Sequence, residues 1–183
     1  MRASCVAIAV ICSGCAYAAG AEAVRDATIG LTIRPPAGYV ARQTTPSGRY
    51  TSAFEVKLPS DRDTGCKVAF QPAPQNKHMS QAQINSITSM PAWQEQVGST
   101  LGSLYNVQAL ASFTHAGVSG ASVIATLRSF PGVPSRDSEM MTQFLIFETP
   151  RGRTMVVCVA EKGSFPARQI EFEALARGLV LPQ

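Results

Sequence analysis

The chain has 183 residues, 45% of them apolar and only 15% charged, a balance that suits one domain with a buried core and excludes global disorder. Its formal charge is +4, from 16 Lys and Arg against 12 Asp and Glu. So mild an excess, with no block of like charges, excludes the nucleic-acid binders that work through a basic patch.

Met1-Arg2 followed by the apolar stretch Ala3–Ile11 and the small-x-small site Ala16-Tyr17-Ala18 reads as a secretory signal over residues 1–18. Cleavage near Ala18 would start the mature chain at Ala19, and loss of Arg2 leaves 15 Lys and Arg against 12 Asp and Glu, hence +3. The run is shorter than the ~20 apolar residues a spanning helix needs, and no later stretch reaches that length. The expected location is the periplasm or the exterior. Ser13-Gly14-Cys15 also resembles the end of a lipobox, although Cys12 stands where Leu is usual. On that alternative the chain is an envelope lipoprotein lipidated at Cys15, and this is the one expected route to a membrane.

Residues 19–27 are small and polar and read as a flexible lead-in, leaving 28–183 as a single α+β domain. Thr28–Arg34 alternates, with Ile29, Leu31 and Ile33 on one side, and stops at Pro35-Pro36-Ala37-Gly38. Tyr39-Val40-Ala41 leads to the turn Thr45-Pro46-Ser47-Gly48. Tyr50–Leu58 and Lys67–Gln71 follow, giving four short strands that look antiparallel and locally connected. Between the last two, Asp61-Arg62-Asp63-Thr64-Gly65 lacks the further ligands of a calcium loop and reads as a solvated turn.

A helical region spans Ser80–Leu104. Ser80 and Gln83 form a capping box, and Met79 and Ile84 fit the accompanying hydrophobic staple. Pro91 interrupts the region. Beyond it Trp93, Val97, Leu101 and Leu104 form one apolar stripe, which makes Trp93 a core residue rather than a ligand platform. Tyr105–Thr114 and Ala121–Ser129 read as strands joined by Ala116–Gly120. The last element is a helix over Phe165–Gly178, with Ser164 as its cap, a face of Phe172, Leu175, Ala176 and Leu179, and a Glu173–Arg177 pair.

The stretch Met140–Ala160 dominates the pattern. Phe144 and Ile146 point one way, Leu145 and Phe147 the other; Val156 and Cys158 oppose Met155, Val157 and Val159. Strands apolar on both parities are buried on both faces. The turn Thr149-Pro150-Arg151-Gly152-Arg153 closes them into a hairpin. We therefore expect a largely antiparallel sheet, centred on this hairpin and covered by one helical region on each face, an α/β/α sandwich.

Two cysteines, Cys66 and Cys158, remain after the signal, both in apolar strands. In an exported chain they suggest one disulfide. A free thiol serving a cryptic thiol-dependent enzyme, or two buried unpaired thiols, are the alternatives. No phosphate-binding glycine loop, GxSxG, HExxH or EF-hand motif occurs, and His78 and His115 have no neighbour at metal-ligand spacing. No catalytic residue, metal or cofactor is therefore expected. Glu55, Glu148 and Glu161, in or beside strands, read as edge solubilisers. Arg151 and Arg153 at the hairpin tip are the candidate contact for an anion or a partner.

The opening Leu31-Thr32-Ile33-Arg34-Pro35-Pro36-Ala37-Gly38-Tyr39, then strands, a mid-chain helical region, long hairpins and a closing amphipathic helix, resembles the PsbP/Mog1-like fold over about residues 28–181. That fold occurs in small exported bacterial proteins of unknown function and in photosystem and nuclear-transport accessory proteins. The resemblance implies a non-enzymatic accessory or binding domain and supplies no site residues. The expected partner is a protein or small ligand of the cell envelope.

Overall fold

The computed structural model describes residues 22–129, 131–132 and 134–183. The signal 1–18 and Cys15 lie outside the described residues. The strands are β1 (Val24–Asp26), β2 (Leu31–Ile33), β3 (Val40–Thr44), β4 (Ser52–Lys57), β5 (Gly65–Pro72), β6 (Tyr105–His115), β7 (Val118–Leu127), β8 (Met140–Thr149), β9 (Gly152–Glu161) and β10 (Leu179–Val180). The helices are α1 (Gln81–Thr88), α2 (Pro91–Gly102) and α3 (Phe165–Arg177).

Seven strands form one antiparallel sheet in the order β3-β4-β5-β9-β8-β7-β6. The β8–β9 hairpin stands at its centre, as its double-sided apolar pattern requires. Pro150 and Arg151 make the tip, with Thr149 opposite Gly152. Only glycine fits at 152, because its φ is +154° and a Cβ there would lie 2.2 Å from the Gln71 carbonyl oxygen.

One face of the sheet packs Phe54, Val68, Leu145, Phe147 and Val156 against Phe165, Phe172, Leu175 and Ala176 of α3. The same layer holds a small second sheet, β1-β2-β10, which contributes Leu31, Ile33 and Leu179. The opposite face packs Ala121, Val123, Phe144 and Ile146 against Val97 of α2, with Trp93 and Leu101 alongside. The helices thus lie on both faces, and the sandwich expected from the sequence is the architecture observed.

Four local expectations change. Val24–Asp26, read as flexible lead-in, is a strand, because Val24 and Asp26 pair with Ile33 and Leu31 and the Asp26 carboxylate accepts the Thr28 N–H at 2.9 Å. The strand around Leu31 leaves the main sheet altogether, since its partners are β1 and β10. The β6–β7 connection is two residues rather than five: Ala116 (φ 50°) and Gly117 (φ 76°) take the left-handed conformations of a tight hairpin turn. Ser164 does not cap α3; its hydroxyl donates to the Glu161 carbonyl instead. The Ser80–Gln83 capping box forms as written, with the Ser80 N–H donating to Gln83 Oε1 at 2.8 Å and the Gln83 N–H to Ser80 Oγ at 3.3 Å.

The largest difference concerns cover over the central hairpin. β8 is buried on both faces, but along β9 the residues Arg153, Met155, Val157 and Val159 are only half-buried. A helix is about 10 Å across and strands are about 4.8 Å apart, so one helix roofs about two strands. Here α2 lies over β6 and β7, and α1 over β7 and β8. The described helical layer ends at β8, and among the described residues no helix lies over the α2 side of β9, β5 and β4.

Candidate functional site

The unroofed strands form the floor of a cleft. Cross-strand register sets Ala53 of β4 opposite Ala69 of β5, and Ala69 opposite Met155 of β9. Between α2 and the sheet lies a hollow of about 430 Å³, with Trp93, Val97 and Leu101 on the helix side, Met155 on the floor, and Arg49 and Tyr50 on the far wall. A second hollow of about 460 Å³ continues from it over Ala53 and Ala69, sharing Tyr50 and Met155. Both volumes fall in the range of small-molecule pockets.

The larger lining is apolar and aromatic, and its charged members are Arg49 and Arg153. The two ends of the first hollow differ. Gln71 pairs with Arg153, so both sit toward the β8–β9 hairpin tip. Tyr105, by contrast, pairs with Leu127 at the other end of the sheet, and with Leu101 and Leu104 it makes an apolar end. Leu104 is 55% exposed there, the rim of the cleft rather than part of the core.

Arg153 is held from below. It sits opposite Glu148 across the hairpin, and its Nε donates to Glu148 Oε1 at 2.6 Å. Glu148, read as an edge solubiliser, is instead buried, 7% exposed, and also accepts from Asn76 Nδ2 at 3.4 Å. The ion pair uses Nε and Nη2 of Arg153, and among the described residues Nη1 makes no hydrogen bond.

Arg151, the other sequence candidate, goes elsewhere. Its Nη1 donates to the Ile29 carbonyl at 2.9 Å, tying the hairpin tip to the loop between β1 and β2 on the α3 side. The two arginines therefore do not converge on one anion, and only Arg153 lines the cleft. Tyr50, Arg49 and Met155 were not singled out by sequence. The parity of Met155 was readable, but its placement opposite Ala69 depends on pairing between strands some eighty residues apart.

Cys66 and Cys158 are directly opposed on β5 and β9 and form a disulfide. Both face the α3 side and are buried, 3% and 0% exposed. The alternative of a free catalytic thiol therefore has no thiol among the described residues. Trp93 packs against the core beneath α2 and also lines the cleft. His115 is spent on structure, its Nε2 lying 2.8 Å from the Leu179 carbonyl oxygen.

The Asp61–Gly65 turn exposes Arg62 and Asp63, as a solvated turn would, but the Asp61 side chain turns inward. Arg168 of α3 makes a two-pronged contact to Asp61, 3.0 and 2.8 Å, and the Asp61 side chain is 6% exposed. Those bonds to Arg168, outweighing burial, hold the Asp61 carboxyl down at about 2. Arg168 Nε also lies 3.2 Å from Glu171 Oε2, too poorly aligned for a hydrogen bond, while the Tyr39 hydroxyl donates to the same carboxylate. Burial first, then that hydrogen bond, raises the Tyr39 phenol well above its ordinary value. This cluster joins α3, the loop before β5 and the start of β3. It is a clamp remote from the cleft.

Comparison of the coordinates with solved structures finds the same chain path in the cyanobacterial PsbP (CyanoP) of Synechocystis sp. PCC 6803, with a TM-score of 0.55 and 12% identity over 98% of both chains. The fold is PsbP-like. A protein of unknown function from Pseudomonas aeruginosa, PA94, aligns over 87% of this chain and 95% of its own with a TM-score of 0.43 and 9% identity. A Bacteroides thetaiotaomicron protein aligns over 84% of this chain and 45% of its own with a TM-score of 0.39 and 8% identity. No protein-family model matches the sequence, and no curated protein matches it. At 12% identity the likeness to PsbP describes the fold and carries no residue role.

Proposed function

We propose that this chain is an exported, non-enzymatic accessory or binding domain that takes its ligand on the unroofed half of the sheet. The observation that carries the reading is the missing cover over β9, β5 and β4, where Met155, Val157 and Ala69 remain half-exposed beside α2. Met155, Val157, Ala69 and Ala53 give that face an apolar strip between charged residues, and the two joined hollows over it are of ligand size. Export is supported by the basic and apolar leader and by the Cys66–Cys158 disulfide, a bond that persists in oxidising compartments. Among the described residues no helix is long and apolar enough to cross a membrane.

Trp93 is the only tryptophan of the chain and lines the cleft, so its emission reports occupancy. Screening a small-molecule library by Trp93 fluorescence is expected to find compounds that shift the emission, with no turnover in a panel of hydrolase and thiol-exchange substrates. Turnover of any of these by the purified protein would end the non-enzymatic reading. Mass spectrometry of the mature chain recovered from a cell envelope distinguishes a start at Ala19 from lipid on Cys15.

A further inference from the structure

We propose that the cleft beside α2 binds an amphipathic anion: an apolar chain or ring lying along Trp93, Leu101 and Met155, with a carboxylate head at Arg49 and Arg153. The inference rests on the cleft being the binding site and adds the class of ligand.

Three observations converge on it. The charged side chains lining the first hollow are two arginines, and among the described residues no carboxylate lines it. Glu148, the partner of Arg153, is buried beneath and leaves Arg153 Nη1 without a hydrogen bond among the described residues. Glu148 cancels the charge of Arg153 but not that of Arg49, which is exposed and has no carboxylate within 4.0 Å among the described residues. The head group thus meets one net positive charge and one guanidinium already fixed in place, which lowers the ordering cost of the contact.

The second observation is polarity along the cleft. Gln71 and Arg153 lie toward the hairpin tip, while Leu101, Leu104 and Tyr105 make the other end apolar. A ligand with one charged and one apolar end fits that gradient; a uniformly polar solute would leave the apolar end wet, and a hydrocarbon would leave the arginines unused. The third is the floor. Ala53 and Ala69 keep it low in the second hollow, where bulkier strand residues would fill it, and Met155, unbranched and adaptable, is shared with Tyr50 by both hollows. The second hollow has an apolar floor of Ala53, Ala69 and Val157 within a rim that includes Glu55 and Lys67, and a longer tail would extend along that floor.

The test is calorimetric titration of the full mature chain with dodecanoate, dodecanol and dodecyltrimethylammonium below their aggregation limits. Dodecanoate is expected to bind at least tenfold more tightly than either of the others. Arg49→Glu, an exposed change that disturbs no ion pair, is expected to weaken dodecanoate about tenfold, the weight of one charge-assisted contact, and to leave dodecanol unchanged. Thr100→Trp, on the exposed flank of α2 that lines the hollow, should abolish binding of all three while circular dichroism stays native. Equal binding of dodecanoate and dodecanol, both blocked by Thr100→Trp, overturns the anion inference and leaves the cleft as the site. Failure of all three to bind likewise overturns the inference alone. Dodecanoate binding that survives Thr100→Trp puts the ligand elsewhere and overturns both readings.

Discussion

At the scale of single residues, Arg168 makes the most buried ion pair among the described residues. It grips Asp61 by two hydrogen bonds and stacks its guanidinium 5.5 Å from the Tyr39 ring centre and 5.4 Å from that of Phe172. A contact of this kind is worth most when both partners are withdrawn from water, and here the side chains are 15% and 6% exposed. Asp61→Ala strands the arginine charge in a poorly solvated place and is expected to cost about 2–4 kcal/mol, measured by urea unfolding at neutral pH. The pH dependence has a definite sign. The Asp61 carboxyl is held at about 2 against an ordinary value of 3.8. Its contribution is therefore complete above pH ~4 and is lost as pH falls toward 2, where the folded state must bind the proton. An Asp61→Asn chain should lose that part of the acid dependence while other carboxylates keep theirs. The sequence contained Asp61 and Arg168 but not their meeting, because 107 residues separate them and only the packing of α3 onto β8 and β9 brings them together.

At the scale of elements, local rules held where local contacts decide. The capping box before α1 is readable because Ser80 and Gln83 are three positions apart and each satisfies a backbone or side-chain group of the other. Ser80→Ala is expected to cost about 1 kcal/mol, seen as a lowered urea midpoint with an unchanged slope. The stop of α3 depends on a contact from outside the helix. Gly178 has an ordinary φ of −81°, and glycine is needed because a Cβ would lie 2.2 Å from the Arg34 carbonyl oxygen, where the chain passes into the small sheet. Local rules failed where a tertiary neighbour intervened. The lead-in at Val24–Asp26 is polar and unremarkable in sequence, and it becomes a strand because β2 offers it an edge. The Ala116–Gly120 stretch reads as a loop, yet Val118 pairs with His115 and Gly120 with Phe113, which leaves Ala116-Gly117 as the turn.

At the scale of the whole molecule, one covalent link crosses the centre of the sheet. Cys66 and Cys158 are 92 residues apart in sequence and join β5 to β9, the seam between the β3–β5 group and the β6–β9 group of the main sheet. Closing a loop of that length removes enough freedom from the unfolded chain to stabilise the fold by about 4–5 kcal/mol on the chain-entropy account, an upper figure. Urea unfolding of a Cys66→Ala/Cys158→Ala chain beside the oxidised protein measures it; the expected result is a large drop in midpoint with native circular dichroism retained in buffer. Equal midpoints would mean that β5 and β9 associate as firmly without the bond.

Amino-acid order alone determined the class of this fold. Apolar residues on both parities of 140–160 call for a helical layer on each face, and the chain carries two helical regions, which cover β8 on both faces and β9 on one. Order alone suggested that the two sulfurs pair but left free thiols open; the register of β5 against β9, which sets Cys66 opposite Cys158, decided it. Tertiary structure decided the width of the cover and hence the cleft. How many strands a helix shelters depends on where it crosses the sheet, and that crossing is set by packing among residues far apart in the chain, which no local pattern encodes.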